Sequence, residues 1–198
     1  MAKSKRFQRK PADRPYRKVF YLFTEGAKTE PTYFNILQKI CHQHVCITIK
    51  SHRTKSDLPH VLNRAKKFIQ EEKPNMEFSE FWLVVDVDNR TKSQFAQLQK
   101  WTEERSNYYL AISNPKFEYW LLLHFEPGNG ISSSEHCSRQ LIEHMPYYQK
   151  NNLDEKKLLA RLSNAIQNAK EKYSQCENDC FAGNCSMVYK LVEKIVNN

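Results

Sequence analysis

Four acidic residues stand where hydrophobic runs end, and their spacing is the part of this sequence most able to do chemistry. Glu25 follows Val19–Thr24, Asp86 and Asp88 close the run Phe81–Asp88, and Glu118 lies just beyond Tyr108–Ser113. Asp86 and Asp88 are two apart, so on an extended strand both carboxylates face one side and Val87 the other. Carboxylates crowded together repel one another, and their pKa values rise unless a cation sits among them. Oxygen-only donors select Mg²⁺, Mn²⁺ or Ca²⁺ over softer metals. Mg²⁺ held by a few carboxylates keeps several waters and can share an oxygen with a substrate phosphate, which is the chemistry of metal-assisted phosphodiester reactions. The plainer alternative is an Asp-x-Asp that only caps a turn, as Asp88-Asn89 can.

Such a site needs elements that deliver the acids to one place. Val19–Thr24 is β-branched and aromatic without clean alternation, the pattern of a strand buried on both faces. A helix is expected from Glu30-Pro31, with proline in its first turn and Tyr33, Phe34 and Leu37 inward. Val45–Lys50 alternates as a half-exposed strand. Ser56 or Asp57 then caps a helix carrying Val61, Leu62, Ala65, Phe68 and Ile69. Phe81–Asp88 is the strongest strand pattern, Gln94–Arg105 a helix, and Tyr108–Ser113 a fourth strand. Asn114-Pro115 opens the next helix, with Asn114 as its cap or with its amide turned to the site. Strands alternating with helices predict an α/β fold with a mainly parallel sheet of about four strands flanked by helices. Right-handed crossovers place the strand-to-helix turns, and with them the acids, along one edge. Beyond Pro127 the pattern becomes helical, through Gln140–Glu143, Leu158–Tyr173 and Met187–Ile195. The reading is a basic arm (1–18), an α/β core (19–126) and a helical extension packed on it (127–198).

The chain has 198 residues and a net charge of +9, unevenly placed. Residues 1–18 carry eight basic groups against one acid, so seven of the nine net charges sit in the arm. Lys3, Lys5, Arg6, Arg9, Lys10 and Arg14 are candidates for salt-dependent contact with nucleic-acid phosphates, or for a merely solvated tail. Only four glycines occur, at 26, 128, 130 and 183. That spacing excludes both the P-loop and the dinucleotide-binding glycine fingerprint. No apolar run is long enough to span a membrane, and the basic N-terminal stretch lacks the apolar core of a secretory signal. Six cysteines without such a signal point to a reducing cytoplasm. Cys176, Cys180 and Cys185 form the one cluster with a zinc-like look. Cys137, His136 or His144 is the candidate fourth ligand for a structural Zn²⁺, against free thiols as the alternative.

Three blocks give the sequence a more specific likeness. Phe23-Thr-Glu25-Gly26-Ala-Lys28-Thr-Glu30 with Tyr33-Phe34, the strand Val84-Val-Asp86-Val-Asp88, and Ser113-Asn114-Pro115-Lys-Phe117-Glu118-Tyr-Trp120 through His124-Phe125 resemble the signatures of the RloB/AbiLii-like family. Asn184-Cys-Ser-Met is similar to that family's Asn-Pro-Ser-Thr ending, from which Cys185 and Met187 depart. The resemblance implies a TOPRIM-type fold, as in topoisomerases, primases and some nucleases. It implies Glu25 as general acid/base, Asp86 and Asp88 with Glu25 around Mg²⁺ or Mn²⁺, and Glu118 as a further acid. It also implies a place in anti-phage defence, with a co-encoded defence protein as a partner.

Taken together, the expectation is a metal-dependent nuclease acting on RNA or DNA. Glu25, Glu118 and Lys28 are the catalytic candidates, Lys28 as a phosphate contact at the start of the first helix. The rival readings are a nucleic-acid- or partner-binding subunit without turnover, and a phosphotransferase or primase-like enzyme using the same metal. His124 reads as a core histidine. Tyr147-Tyr148 with Lys150 reads as packing or as a stacking surface beside a phosphate contact.

Overall fold

The computed structural model describes residues 17–52 and 57–198. Strand β1 (Lys18–Thr24) leads through helix α1 (Thr29–Cys41) to β2 (Val45–Ile49). Helix α2 (Leu58–Glu72) crosses back to β3 (Ser79–Asp86). A short 3-10 turn (Lys92–Phe95) and helix α3 (Ala96–Glu103) then lead to β4 (Tyr108–Asn114). The four strands are parallel in the order β2-β1-β3-β4. The chain steps outward from β1 to β2 and then returns past β1 to β3. Crossovers of one hand in opposite directions put helices on opposite faces, so α1 covers one face while α2 and α3 cover the other.

Side-chain alternation keeps the two faces apart. Phe20 and Leu22 of β1, Trp82 and Val84 of β3 and Ala111 of β4 pack with α1. Phe23, Phe81, Leu83, Val85 and Ile112 point the other way, against α2 and α3. Seven of the eight residues of β3 are buried, which explains why its sequence reads as a continuous apolar run. Asp57 caps α2, its carboxylate accepting the His60 N–H at 3.0 Å, with Pro59 in the first turn.

Residues beyond Pro127 complete the α1 side. Helices α4 (Phe117–Leu122), α5 (Ser134–His144), α6 (Glu155–Ala160), α7 (Leu162–Gln175) and α8 (Val188–Val196) share one apolar cluster with β1, β3 and α1. Helix α8 buries Val188, Leu191, Val192 and Ile195, spaced three, one and three apart, each worth about 2 kcal/mol of removed apolar surface.

Several boundaries differ from the sequence reading. The extension is not wholly helical: Cys185–Ser186 forms a fifth strand, β5, antiparallel to the end of β4. The pattern Leu158–Tyr173 is two helices, because Arg161 leaves helical geometry at φ −117°. Asn114 is not a helix cap. It ends β4, pairs with Cys185, and its amide donates to the Cys180 carbonyl at 2.7 Å. Lys116 holds the cap position of α4 instead. The third strand stops at Asp86, two residues short of the expected end.

Candidate active site

The sheet order reverses between β1 and β3, and in such sheets the crevice beyond the carboxyl ends at that point is where ligands bind. The first strand ends there on a set of local bonds. Arg64 of α2 donates to the Thr24 carbonyl at 2.6 Å, and Thr24 Oγ1 donates to the Gly26 carbonyl at 2.8 Å. One residue past the strand, the Glu25 N–H still donates to the Val84 carbonyl at 2.9 Å, which carries Glu25 alongside the end of β3.

The Glu25 side chain is only 1% exposed. Arg90 grips it with both arms, Nη2 to Oε1 at 2.8 Å and Nη1 to Oε2 at 3.1 Å. Oε2 also accepts the Asp86 N–H at 3.2 Å, while Arg90 Nη1 donates to the Asp86 carbonyl at 2.9 Å. Burial works against the Arg90 charge, but the Glu25 pair and the two aspartates outweigh it and raise the guanidinium pKa. Arg90 thus ties the two acid-bearing strand ends together.

Glu30 enters by a different route. Its carboxylate folds back over the start of α1 and accepts the Gly26 N–H at 2.8 Å. A methyl group on Gly26 would overlap that carboxylate and push the Glu30 side chain out of its folded-back position. Burial pushes the Glu30 pKa up to about 7, with help from the charges of Glu118 and Glu25 and against the opposing backbone hydrogen bonds. Asp86 is driven well above the usual carboxylate range by burial first and then by Glu30, Glu25, Glu118 and Asp88.

Asp88 reaches the same cleft by a turn. Past Asp86, the Val87 N–H donates to the Ser113 carbonyl and the Asp88 N–H to the Pro115 carbonyl, each at 2.8 Å. Asp88 itself lies at φ 46°, in the left-handed region that aspartate tolerates better than most residues. The expected alternation therefore does not place the Asp-x-Asp pair; a bend anchored on β4 and Pro115 does. Glu118 stands in the first turn of α4, 6% exposed, and its Oε1 accepts the Tyr148 hydroxyl at 2.8 Å. That hydroxyl lies 3.5 Å from Thr29 Oγ1. Burial, followed by the Glu118 charge, raises the Tyr148 pKa, so the phenol stays a donor.

Asp86, Asp88, Glu118 and Glu30 line one cleft of about 570 Å³, together with Lys28, Lys116 and Lys150. The structure thus brings together Asp86, Asp88, Glu118 and Lys28, four of the residues expected from sequence. It sets Glu25 behind the cleft wall, facing Arg90. Glu30 and Arg90 have no role assigned from the sequence, and Tyr148, read there as packing or stacking, instead holds Glu118. Glu30 lay inside the first quoted block, and its one signal was an acid five residues after Glu25 at the start of a helix. Lys28 is exposed at the cap position of α1, without a side-chain capping bond.

Among the described residues, no three His, Cys, Asp or Glu side chains stand close enough to enclose a metal ion. The donor set nevertheless fits a hard divalent cation: it is all carboxylate, and Glu30, Asp86 and Glu118 form no ion pair among the described residues. Mg²⁺ needs only one or two such ligands, with water completing its shell. Asp86 and Asp88 are the two that border the cleft at the strand end.

The remaining candidates fall elsewhere. His124 is fully buried, with Nδ1 3.1 Å from the Trp120 carbonyl and Nε2 3.3 Å from the Tyr33 hydroxyl; burial pushes its pKa down to about 4. It is a neutral core residue. Cys180 and Cys185 are joined as a disulfide, and Cys176 Sγ donates to the Asn184 carbonyl at 3.8 Å, so in this pairing the three are not a set of thiolate ligands. The basic candidates Lys3, Lys5, Arg6, Arg9, Lys10 and Arg14 lie outside the described residues. No helix of the described residues is long and apolar enough to cross a membrane.

Nothing among the curated proteins or the solved structures matches the chain. A family model described as RloB-like protein matches residues 20–195. The matched stretch begins inside β1, takes in every acid of the cleft, and runs to the end of the apolar face of α8. On that coverage the chain belongs to the RloB-like protein family.

Proposed function

We propose that the cleft is the centre of a divalent-metal-dependent nuclease that cuts phosphodiester bonds in RNA or DNA and serves bacterial defence against phage. The observation that carries the reading is the meeting of four acids, from α1, the end of β3 and α4, in one cleft at the switch point of the sheet, three of them without an ion-pair partner among the described residues. Acids are not gathered in this way for stability, because each raises the cost of ionising the next. The TOPRIM-type reading belongs to the same proposal, supported by an acid after the first strand and an Asp-x-Asp after the third.

Asp86 and Asp88 would hold Mg²⁺ or Mn²⁺, with Glu118 and Glu30 beside them. The ion supplies positive charge that polarises the scissile phosphate and acidifies a water. The chain's own residues do the rest. Lys28 and Lys150, exposed on the rim, attract the phosphate, and Lys116 stands on the same wall with its Nζ on Ser138 Oγ at 2.6 Å. Tyr148 holds Glu118 in place. Glu25 is the acid/base group, and it would have to leave the two-armed grip of Arg90 to meet substrate in the cleft. We assign the protein to the cytoplasm, with nucleic acid as substrate and a co-encoded defence protein as a partner.

The test is incubation of purified protein with labelled RNA and DNA in Mg²⁺, Mn²⁺ or chelator. Cleavage is expected only with metal, abolished in Asp86→Asn and reduced on the order of 10²- to 10⁴-fold in Glu25→Gln. A second reading, a binding subunit without turnover, is favoured by one observation, the buried Glu25–Arg90 pair that keeps Glu25 off the cleft surface. Metal-dependent binding without products on every substrate, with and without a co-encoded partner, selects that reading.

A further inference from the structure

The turn between α5 and α6 is held tightly on both sides of a fully exposed aromatic ring. Tyr148 N–H donates to the Met145 carbonyl at 2.9 Å, and Gln149 and Asn152 close the turn with a two-way backbone bridge. Met145 and Leu153 are buried beneath it, and Tyr148 pins it to Glu118 of the acidic cleft. Tyr147, next in the chain to that pin, is 92% exposed, far beyond the other exposed large hydrophobic side chains among the described residues. Three residues further on, Lys150 reaches the rim of the cleft itself.

A tyrosine this exposed contributes little to the fold, yet here its backbone is fixed on each side. The two neighbouring tyrosines have opposite orientations, one tying the turn to the site and the other offering a ring to solvent. Beside Tyr147 lies a hollow of about 230 Å³ walled by Pro146, Tyr148, Asn152 and Leu153. An open aromatic face with a lysine three residues further along the same turn is an arrangement able to receive a base and its phosphate. It suits an unpaired base, because a base inside a duplex has both faces already stacked.

We infer that the Pro146–Asp154 turn is a subsite for one unpaired nucleotide at the edge of the acidic cleft, with Tyr147 stacking on the base and Lys150 meeting the phosphate. This rests on the proposed nuclease reading and specifies its substrate as a single-stranded segment. Tyr148 is the positioning residue that fixes the subsite relative to Glu118.

The experiment measures binding of the full chain to labelled single-stranded RNA and DNA oligonucleotides and to a blunt duplex, in chelator and in Mg²⁺, alongside cleavage. Tyr147→Ala is expected to weaken single-strand binding about tenfold, with duplex binding changed less, and Tyr147→Trp to retain affinity. Lys150→Ala should weaken binding and lower the salt dependence by about one counterion. Thermal melting confirms that each variant is folded. Single-strand binding unchanged in Tyr147→Ala, or an equal loss on duplex, overturns the subsite and leaves the exposed ring to a protein partner. If Tyr147-dependent binding persists but no substrate is ever cut, the nuclease reading falls and the subsite stands. If Glu25→Gln abolishes cleavage while Tyr147→Ala binds and cuts as wild type, the subsite falls and the nuclease reading stands.

Discussion

Strand β3 carries an acid near each end, Glu80 buried and Asp86 half-buried at the cleft, and the protein treats the two in opposite ways. Glu80, at the amino end, is 3% exposed and fully attended: Lys18 Nζ lies at 2.7 Å, Lys194 Nζ at 3.0 Å, and the Trp82 indole N–H donates at 3.0 Å. Burial opposes its charge, but these three donors outweigh burial and lower its pKa. Asp86, at the carboxyl end, meets Glu30, Glu25, Glu118 and Asp88, and its pKa is driven up. One strand in one sheet thus shows that the fold can neutralise a buried carboxylate when only stability is at stake. The absence of such provision around Asp86 therefore marks a place where charge is left for something else to balance. The lesson is that partners decide the role of a buried acid, and burial alone does not.

The largest effect that tests this contrast is on stability. Glu80→Ala removes the partner of two lysines and a buried indole and should cost about 3 kcal/mol in urea unfolding. Asp86→Asn, at the other end, should leave the chelated protein at least as stable as wild type, because burial and the neighbouring Glu30, Glu25, Glu118 and Asp88 work against the charged form it removes. Equal losses from both substitutions would break the contrast and make Asp86 a structural acid like Glu80.

A second test uses pH. Glu30 has a folded-state pKa of about 7 against an ordinary 4.5, so between those values the folded chain keeps a proton that the unfolded chain has released. Stability from this group therefore falls as pH rises from about 4.5 to 7, by on the order of 3 kcal/mol. Glu80 has the opposite sign: its lowered pKa gives stability that is present above its ordinary value and is lost only as pH falls through the folded one. Unfolding in chelator across this range should show the loss toward neutral pH, Glu30→Gln should remove it, and Mg²⁺ should restore stability above pH 7. A flat profile that Mg²⁺ does not change would show that the cleft acids are balanced from within.

Much of this arrangement is legible in the residues themselves. Glu25, Asp86 and Glu118 could be found because each follows an apolar run that can only be a buried strand, and parallel strands bring their carboxyl ends together. Glu30 was hidden because an acid in the first turn of a helix already has an ordinary explanation in the helix dipole. Only the backward fold of its carboxylate onto the Gly26 N–H reveals another role. Arg90 reads as a loop cation; its reach to Glu25, 65 residues earlier in the chain, depends on the turn that also bends Asp88 away from strand geometry. Strand β5 is two residues long and carries no periodicity to read. What pattern recovers are elements and the ends they present. Contacts made by bends and long side chains lie outside it.

Glu118 falls between the two ends of β3 and gives the smallest and sharpest test. It sits among the cleft acids, yet it has one donor of its own, the Tyr148 hydroxyl at 2.8 Å. If that bond is the structural kind seen at Glu80, Tyr148→Phe should cost about 1 kcal/mol, since a hydrogen bond to a buried carboxyl group is lost while the ring still fills its place. Mg²⁺ should then shrink the difference between Tyr148→Phe and wild type, a bound cation taking over the attraction that the phenol supplied. A loss untouched by Mg²⁺ would instead place Glu118 with Glu80, as an acid whose partner completes the fold, and would leave Asp86 and Glu30 as the acids that a cation balances.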